Sequence, residues 1–443
     1  IAPTSYGFGY KKSFDKIFSD LSKKYKFLSQ FMSTIKKQVQ NFNSYEFEES
    51  IKLLESSKDF IGYGTDSDSL EIVLLWRKFF QPSSFFGHII AKNVSIVSEF
   101  KGLKDIWVTD SMGVCKNNID ADDTQIRINK AKDDNVPIIA FFGGSTMQGV
   151  GSYLPNFTIP SLVEQILLEE YNFKTVCINH GVAGWSSSEE LNFLIHGLDY
   201  TPSHCIFYDG WNCVWNFYNG ILLNNQFKTD SIIKWQKGTS LRHVEYDYQN
   251  LLQFSILWQI KKTSNLIFNK FLLYISKSLN IKFWRRLLQK ISSIFFPYKR
   301  FNILYNLNNK SLSDDLRDNY LIQIATEYLR IDKIANLVCE SRAINFIHFM
   351  QPTLLTTNRP YSLREMNLLE LGDPLPNSEV FSLFTKFVNN EKPPKYLMDI
   401  SDTFNQIDEE VFQDDGHLNP IGNYYVAKRI VKEIINKGYI LVH

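Results

Sequence analysis

A run of uncharged residues that stops abruptly in a double glycine constrains this chain more than any other feature. Pro137 to Ser152 reads PIIAFFGGSTMQGVGS. Ile138, Ile139, Ala140, Phe141 and Phe142 show no polar alternation, which predicts a central parallel strand covered on both faces. Gly143 and Gly144 permit a backbone reversal that side chains would obstruct. Ser145 is thereby expected at the carboxyl edge of a sheet, where open α/β folds place their ligands. A serine so placed is a candidate nucleophile, although the stretch by itself reads equally well as a Gly-Ser loop.

Beyond the serine the chain alternates in type. Ile159 to Tyr171 has helical periodicity with Pro160 in its first turn, where a missing N–H is harmless. Phe173 to Ile178 predicts a second strand, Ser187 to Leu198 a second helix and His204 to Tyr208 a third strand. A long helix over about Asp314 to Arg342, strands at Ile344 to Met350 and Tyr396 to Ile400, and a last helix over about Pro420 to Asn436 resume the pattern. Strand then helix, with short links, predicts a parallel sheet with helices on both faces.

Ahead of this alternation, residues 11 to 40 carry apolar residues at Phe14, Phe18, Leu21, Tyr25, Leu28, Met32, Ile35 and Val39. Steps of four and three mark one stripe of a long helix, which suits either packing on its own domain or a homodimer through 14–39. Glu46 to Lys58 and Leu70 to Phe80 also read as helical. Asp105 to Val108 and Gln125 to Ile128 read as short strands. The expected organisation is a mostly helical region over 1–135, an α/β core in two halves at 136–225 and 314–443, and an insertion at 226–313.

The insertion is chemically distinct. From Tyr248 to Ser313 there is no Asp or Glu, while Lys261, Lys262, Lys270, Lys277, Lys282, Arg285, Arg286, Lys290, Lys299, Arg300 and Lys310 are all basic. Ile281 to Phe295 sets Trp284, Leu287, Leu288, Ile291 and Phe295 on one helical side with basic residues between them. Residues 261–300 therefore suit an anionic membrane surface, or a helical subdomain with solvated lysines. The whole chain of 443 residues has a formal net charge of only +1, so general attraction to nucleic acid is not expected. Five scattered cysteines exclude a disulfide framework and offer no zinc spacing. No apolar run of about 18 residues predicts a membrane span. The chain begins at Ile1, which leaves the compartment open to an upstream signal or anchor.

Three further segments bear on Ser145. Asn179-His180-Gly181-Val182-Ala183-Gly184-Trp185-Ser186 comes after the second strand and permits a tight loop with a backbone N–H aimed at a cleft. Asp209-Gly210-Trp211-Asn212 comes after the third strand and offers a side-chain amide at the same edge. Acyl transfer needs donors directed at the oxygen that becomes negative, and the Ser145 N–H, Gly184 N–H and Asn212 amide are the candidates. Asp414-Asp415-Gly416-His417 precedes the last helix. A serine hydroxyl needs a base, usually histidine, and an acid three residues earlier can bind the other ring nitrogen. Asp414 has that spacing, with Asp415 as its competitor.

In their order and positions these blocks resemble the SGNH (GDSL-like) hydrolase superfamily. The matching residues are Ser145 in GGST, Gly184 in NHGVAG, Asn212 in GWN, and Asp414 with His417 in DDGH; FIHFMQP at 346–352 and DISDTF at 399–404 resemble later core segments. Two departures stand out: Gly144 replaces the aspartate of the usual GDS, and Cys213 replaces the aspartate that commonly follows the asparagine. The resemblance implies a three-layer α/β/α flavodoxin-like fold and a serine esterase that uses a Ser145-His417-Asp414 triad. It also implies an oxyanion hole from Ser145, Gly184 and Asn212, and no cofactor or metal. The implied substrates are acyl esters, with O-acetyl groups on carbohydrate or glycolipid foremost. Acyl transfer by the same acyl-enzyme, or a non-catalytic scaffold or membrane-surface binding protein that kept the fold, are the alternatives.

Overall fold

The computed structural model describes residues 60–64, 79–83, 86–100, 103–214, 314–371 and 378–440. The helices expected at 11–40 and 46–58 and the basic segment at 226–313 lie outside the described residues, as does most of 70–80. The chain divides into two units, Ile1–Val214 with Leu321–His443, and Trp215–Tyr320. The first unit carries the sheet.

Its centre is a parallel sheet of five strands: β6 (Ile138–Gly143), β7 (Val176–Gly181), β8 (His204–Asp209), β9 (Asn345–Met350) and β10 (Leu397–Asp399). The spatial order is β10-β9-β8-β6-β7. Counted in chain order from the β7 edge this is 2-1-3-4-5, the flavodoxin-like winding, and direction reverses between β6 and β8. Ser145 comes directly after β6, so it sits at the switch point.

Period-two alternation sorts the strand residues between two layers of helices. Ile139, Phe141, Ile206, Tyr208, Ile347 and Phe349 pack with helices α3 (Ile159–Tyr171) and α8 (Pro420–Asn436). Ile138, Ala140, Phe142, Cys205, Phe207 and Phe346 face the other way, onto helices α1 (Thr124–Asp133), α4 (Ser187–His196) and α5 (Asp314–Ser341). Among the described residues the remaining α-helices are α2 (Ser145–Gln148), α6 (Leu363–Leu371) and α7 (Ser378–Asn390). The sequence reading assigns no element to α6 or α7.

Within the expected N-terminal region, the described residues between 60 and 108 form strands, among them β5, where a strand was expected at Asp105–Val108. β1 (Phe60–Gly64), β4 (Ser95–Phe100) and β5 (Leu103–Val108) form one small sheet, and β2 (Phe80–Ser83) pairs with β3 (Gly87–Ile90) as a hairpin. Phe79, Ile90, Ile96 and Trp107 bury themselves against Val182 and Trp185, in the loop after β7. These strands gain their place by burying an aromatic face on the core. A correction applies to Gln125–Ile128, expected as a strand, which is helical in α1. Asp123 caps that helix by accepting from the Gln125 N–H at 3.0 Å, and its buried residues Thr124, Ile128 and Ala131 are spaced in helical steps.

One feature of the core is polar. His348 on β9 is fully buried between Asp332 on α5 (Nδ1 to Oδ1, 2.8 Å) and Asp209 at the end of β8 (Nε2 to Oδ1, 2.9 Å). Burial opposes a charged ring, but the two carboxylates outweigh it and push the His348 pKa up to about 10. A histidine whose pKa is higher folded than unfolded stabilises most below about 6.5, and that stabilisation is lost as pH rises through the folded value. The thermal midpoint is therefore expected to fall between pH 7 and 10. His348→Gln, which leaves two buried carboxylates without their cation, should cost about 3–5 kcal/mol at pH 7. It should also flatten the alkaline decline, and an unchanged slope would contradict the assignment.

Candidate active site

Ser145 opens α2 one residue after the strand-ending Gly143-Gly144 pair. As the first residue of the turn its N–H has no intrahelical carbonyl to bind. Gly144 is required by packing: a Cβ there would collide with the Asn212 amide nitrogen. In this chain a side chain before the serine would have to displace the Asn212 amide.

His417 lies in the loop before α8, 272 positions along the chain, and its Nε2 is 2.7 Å from Ser145 Oγ. Its Nδ1 is 2.9 Å from Asp414 Oδ1 and 2.8 Å from Oδ2. Asp414 Oδ1 also accepts from the backbone N–H groups of Gly416 (3.0 Å) and His417 (2.7 Å). With Nδ1–H donating to Asp414, Nε2 is left to accept the serine proton. Asp415, the competitor for that role, acts on His417 as a nearby charge, while the ring N–H pairs with Asp414.

The electrostatics arise from this geometry. Burial alone would raise the Asp414 carboxyl, but the His417 charge, its ring N–H and two backbone donors outweigh burial and hold it below the usual carboxylate range. Burial likewise opposes protonation of His417, and Asp414 with Asp415 and Asp105 more than compensates, raising its pKa above the ordinary 6.5.

Several side chains hold the histidine loop. Glu365 and Arg359 form a fully buried ion pair; the Glu365 carboxylate accepts from Val411 N (3.1 Å), and Arg359 donates to the carbonyls of Ile407 (3.1 Å) and Glu409 (3.0 Å). Arg364 donates to the carbonyls of Phe412 (2.9 Å) and Gln413 (2.6 Å). Asn419 caps α8 by accepting from Ile421 N and Gly422 N, each at 2.9 Å. Thr146 Oγ1, beside the serine, donates to Gly416 O at 3.2 Å and ties the two loops together.

The other expected residues sit nearby. The Asn212 amide, nearly buried, donates one N–H to Trp185 O at 2.8 Å while lying against Gly144. Gly184 has φ +87°, a left-handed conformation that turns the loop between β7 and α4. His88 on β3 braces that loop: its Nε2 pairs with Ala183 O at 2.8 Å and its carbonyl accepts from Trp185 Nε1 at 3.0 Å. Cys213, the second departure, is buried beside Ser187 and faces the Asp209 and Glu190 carboxyls. An aspartate there would add a third buried acid. Among the described residues no cluster of His, Cys, Asp or Glu suits a metal ion. No helix among them is long and apolar enough to cross a membrane.

Neither a family model nor a curated protein sequence matches the chain. Among solved structures, an acetyl xylan esterase from Geobacillus stearothermophilus is similar at 10% identity and TM-score 0.31, covering 69% of this chain and 97% of that one. A lipase/acylhydrolase from Enterococcus faecalis is similar at 11% identity and TM-score 0.32, covering 68% and 97%. A two-domain esterase active on acetylated mannans is similar at 12% identity and TM-score 0.29, covering 70% and 53%.

The His417 ring should titrate above 6.5 in a histidine-resolved NMR experiment, and Asp414→Asn should lower that value. A ring that titrates identically in both proteins would contradict the pairing.

Proposed function

We propose that the chain is a serine ester hydrolase of the SGNH type. The observation that carries the proposal is the continuous line from Ser145 Oγ through His417 to Asp414, beside an asparagine amide that lies against the residue before the serine. In the proposed reaction, His417 Nε2 takes the Ser145 proton as Oγ attacks the ester carbonyl, and Asp414 stabilises the imidazolium. The Ser145 N–H, the Gly184 N–H and the second N–H of the Asn212 amide receive the oxyanion. The imidazolium then protonates the departing alcohol, and water activated by the same ring hydrolyses the acyl-serine. No step needs a metal or organic cofactor. The resemblance favours a small acyl group, O-acetyl, on a carbohydrate or glycolipid alcohol.

The test is hydrolysis of p-nitrophenyl acetate and acetate release from an O-acetylated oligosaccharide. Ser145→Ala should lose about 10⁴-fold or more in kcat. Asn212→Ala and Gly144→Ala, the latter displacing the amide, should each lose roughly 10²–10³-fold with the fold intact. Undiminished hydrolysis by folded Ser145→Ala would overturn the nucleophile. Wild-type activity on the aryl ester but not on the sugar ester would overturn the carbohydrate reading alone.

A further inference from the structure

A second buried carboxylate, on the small N-terminal sheet in a segment with no recognisable motif, holds the loop that follows Ser145. Asp105 on β5 is 4% exposed. Its Oδ2 accepts from Gly151 N at 3.1 Å and its Oδ1 from Tyr153 N at 2.8 Å. The neighbouring strand residues reinforce this grip on the loop after the nucleophile turn: Ile106 N donates to Tyr153 O at 3.0 Å, and Trp107 Nε1 to Gly149 O at 3.3 Å. The gripped loop in turn lies against the histidine loop. Tyr153 OH donates to Gln413 Oε1 at 3.1 Å. Gly151, at φ +86°, approaches so closely that a Cβ there would collide with Leu418 O. Tyr153 holds φ +63°, a conformation disfavoured for a residue with a side chain and kept only where its surroundings enforce it.

We propose that Asp105 is a positioning residue of the active site, holding the 149–153 loop against the histidine loop and contributing negative charge that favours the protonated ring of His417. The inference rests on the hydrolase reading for its consequence in catalysis. The charged groups acting on Asp105 are His417 and Asp414, and those acting on His417 are Asp414, Asp415 and Asp105. Burial raises the Asp105 carboxyl to about 6 against the pull of the two backbone donors and His417. It is therefore mainly ionised at neutral pH and neutral in moderate acid. During acylation the imidazole acquires a proton, and an ionised Asp105 stabilises that state more than the neutral one.

Asp105→Asn removes the charge and sets an amide N–H against a backbone donor. Its pH profile of kcat/KM for p-nitrophenyl acetate should show the acid limb moved down by roughly half a unit or more. The plateau should fall about tenfold through kcat, since small displacements of catalytic groups lower the rate steeply. A lowered plateau with an unmoved limb, or a wild-type profile, would overturn the proposal. Should this variant not fold, ¹⁵N titration of His417 in the wild-type protein decides it: a second inflection near the Asp105 value of about 6 supports the proposal, and a profile without one overturns it. The NMR measurement needs no turnover, so an absence of hydrolysis would count against the esterase reading and leave the Asp105 test intact.

Discussion

The hydrogen bond between Ser145 Oγ and His417 Nε2 joins positions 272 apart, and most of the surrounding structure can be understood as making that meeting reliable. A parallel sheet provides the first condition, because all its strands end at the same edge. The reversal between β6 and β8 opens a crevice there. The second condition is that two irregular loops stay in register with each other, and hydrophobic burial is poorly suited to that task because it has no direction. The chain uses directed polar contacts instead.

These contacts are concentrated where the protein is driest. Glu365 and Arg359 are paired out of solvent and together gather backbone groups from 407 to 411. His348 is held between Asp332 and Asp209, the residue that leads into the Gly210-Trp211-Asn212 turn. Burying such groups opposes folding unless each is well paired, so an apolar core would be the simpler solution for stability alone. Their placement under the histidine loop and the asparagine turn fits a role in orientation. The N-terminal strands extend the same logic, with His88 bracing the Gly184 loop and Asp105 the loop after Ser145.

Much of the core can be read from the chain because its signals are local. The apolar run of β6, the glycine pair, and helices α3 and α8 with proline in the first turn each declare themselves within a few residues. Of the N-terminal strands only β5 does, at Asp105–Val108. The others are short and mixed in polarity, and they are strands because partners and a buried aromatic face are available, which only the tertiary structure supplies. Gln125–Ile128 alternates like a strand and is nonetheless helical, because Asp123 caps it and Ile128 and Ala131 share a buried side. Asp105 is illegible for a related reason: its backbone partners, Gly151 and Tyr153, lie more than forty positions away. The Gly144 and Cys213 departures become intelligible only once the Asn212 amide and the Asp209 and Glu190 carboxyls are seen beside them.

The most direct test is a crystal structure of the protein after reaction with a fluorophosphonate, with mass spectrometry of the labelled peptide. The account predicts one phosphonyl group on Ser145 Oγ, with its free oxygen about 2.7–3.1 Å from the Ser145 N–H and the Asn212 amide, and labelling that collapses in His417→Ala. Modification at another residue, or equal labelling without the histidine, would contradict it.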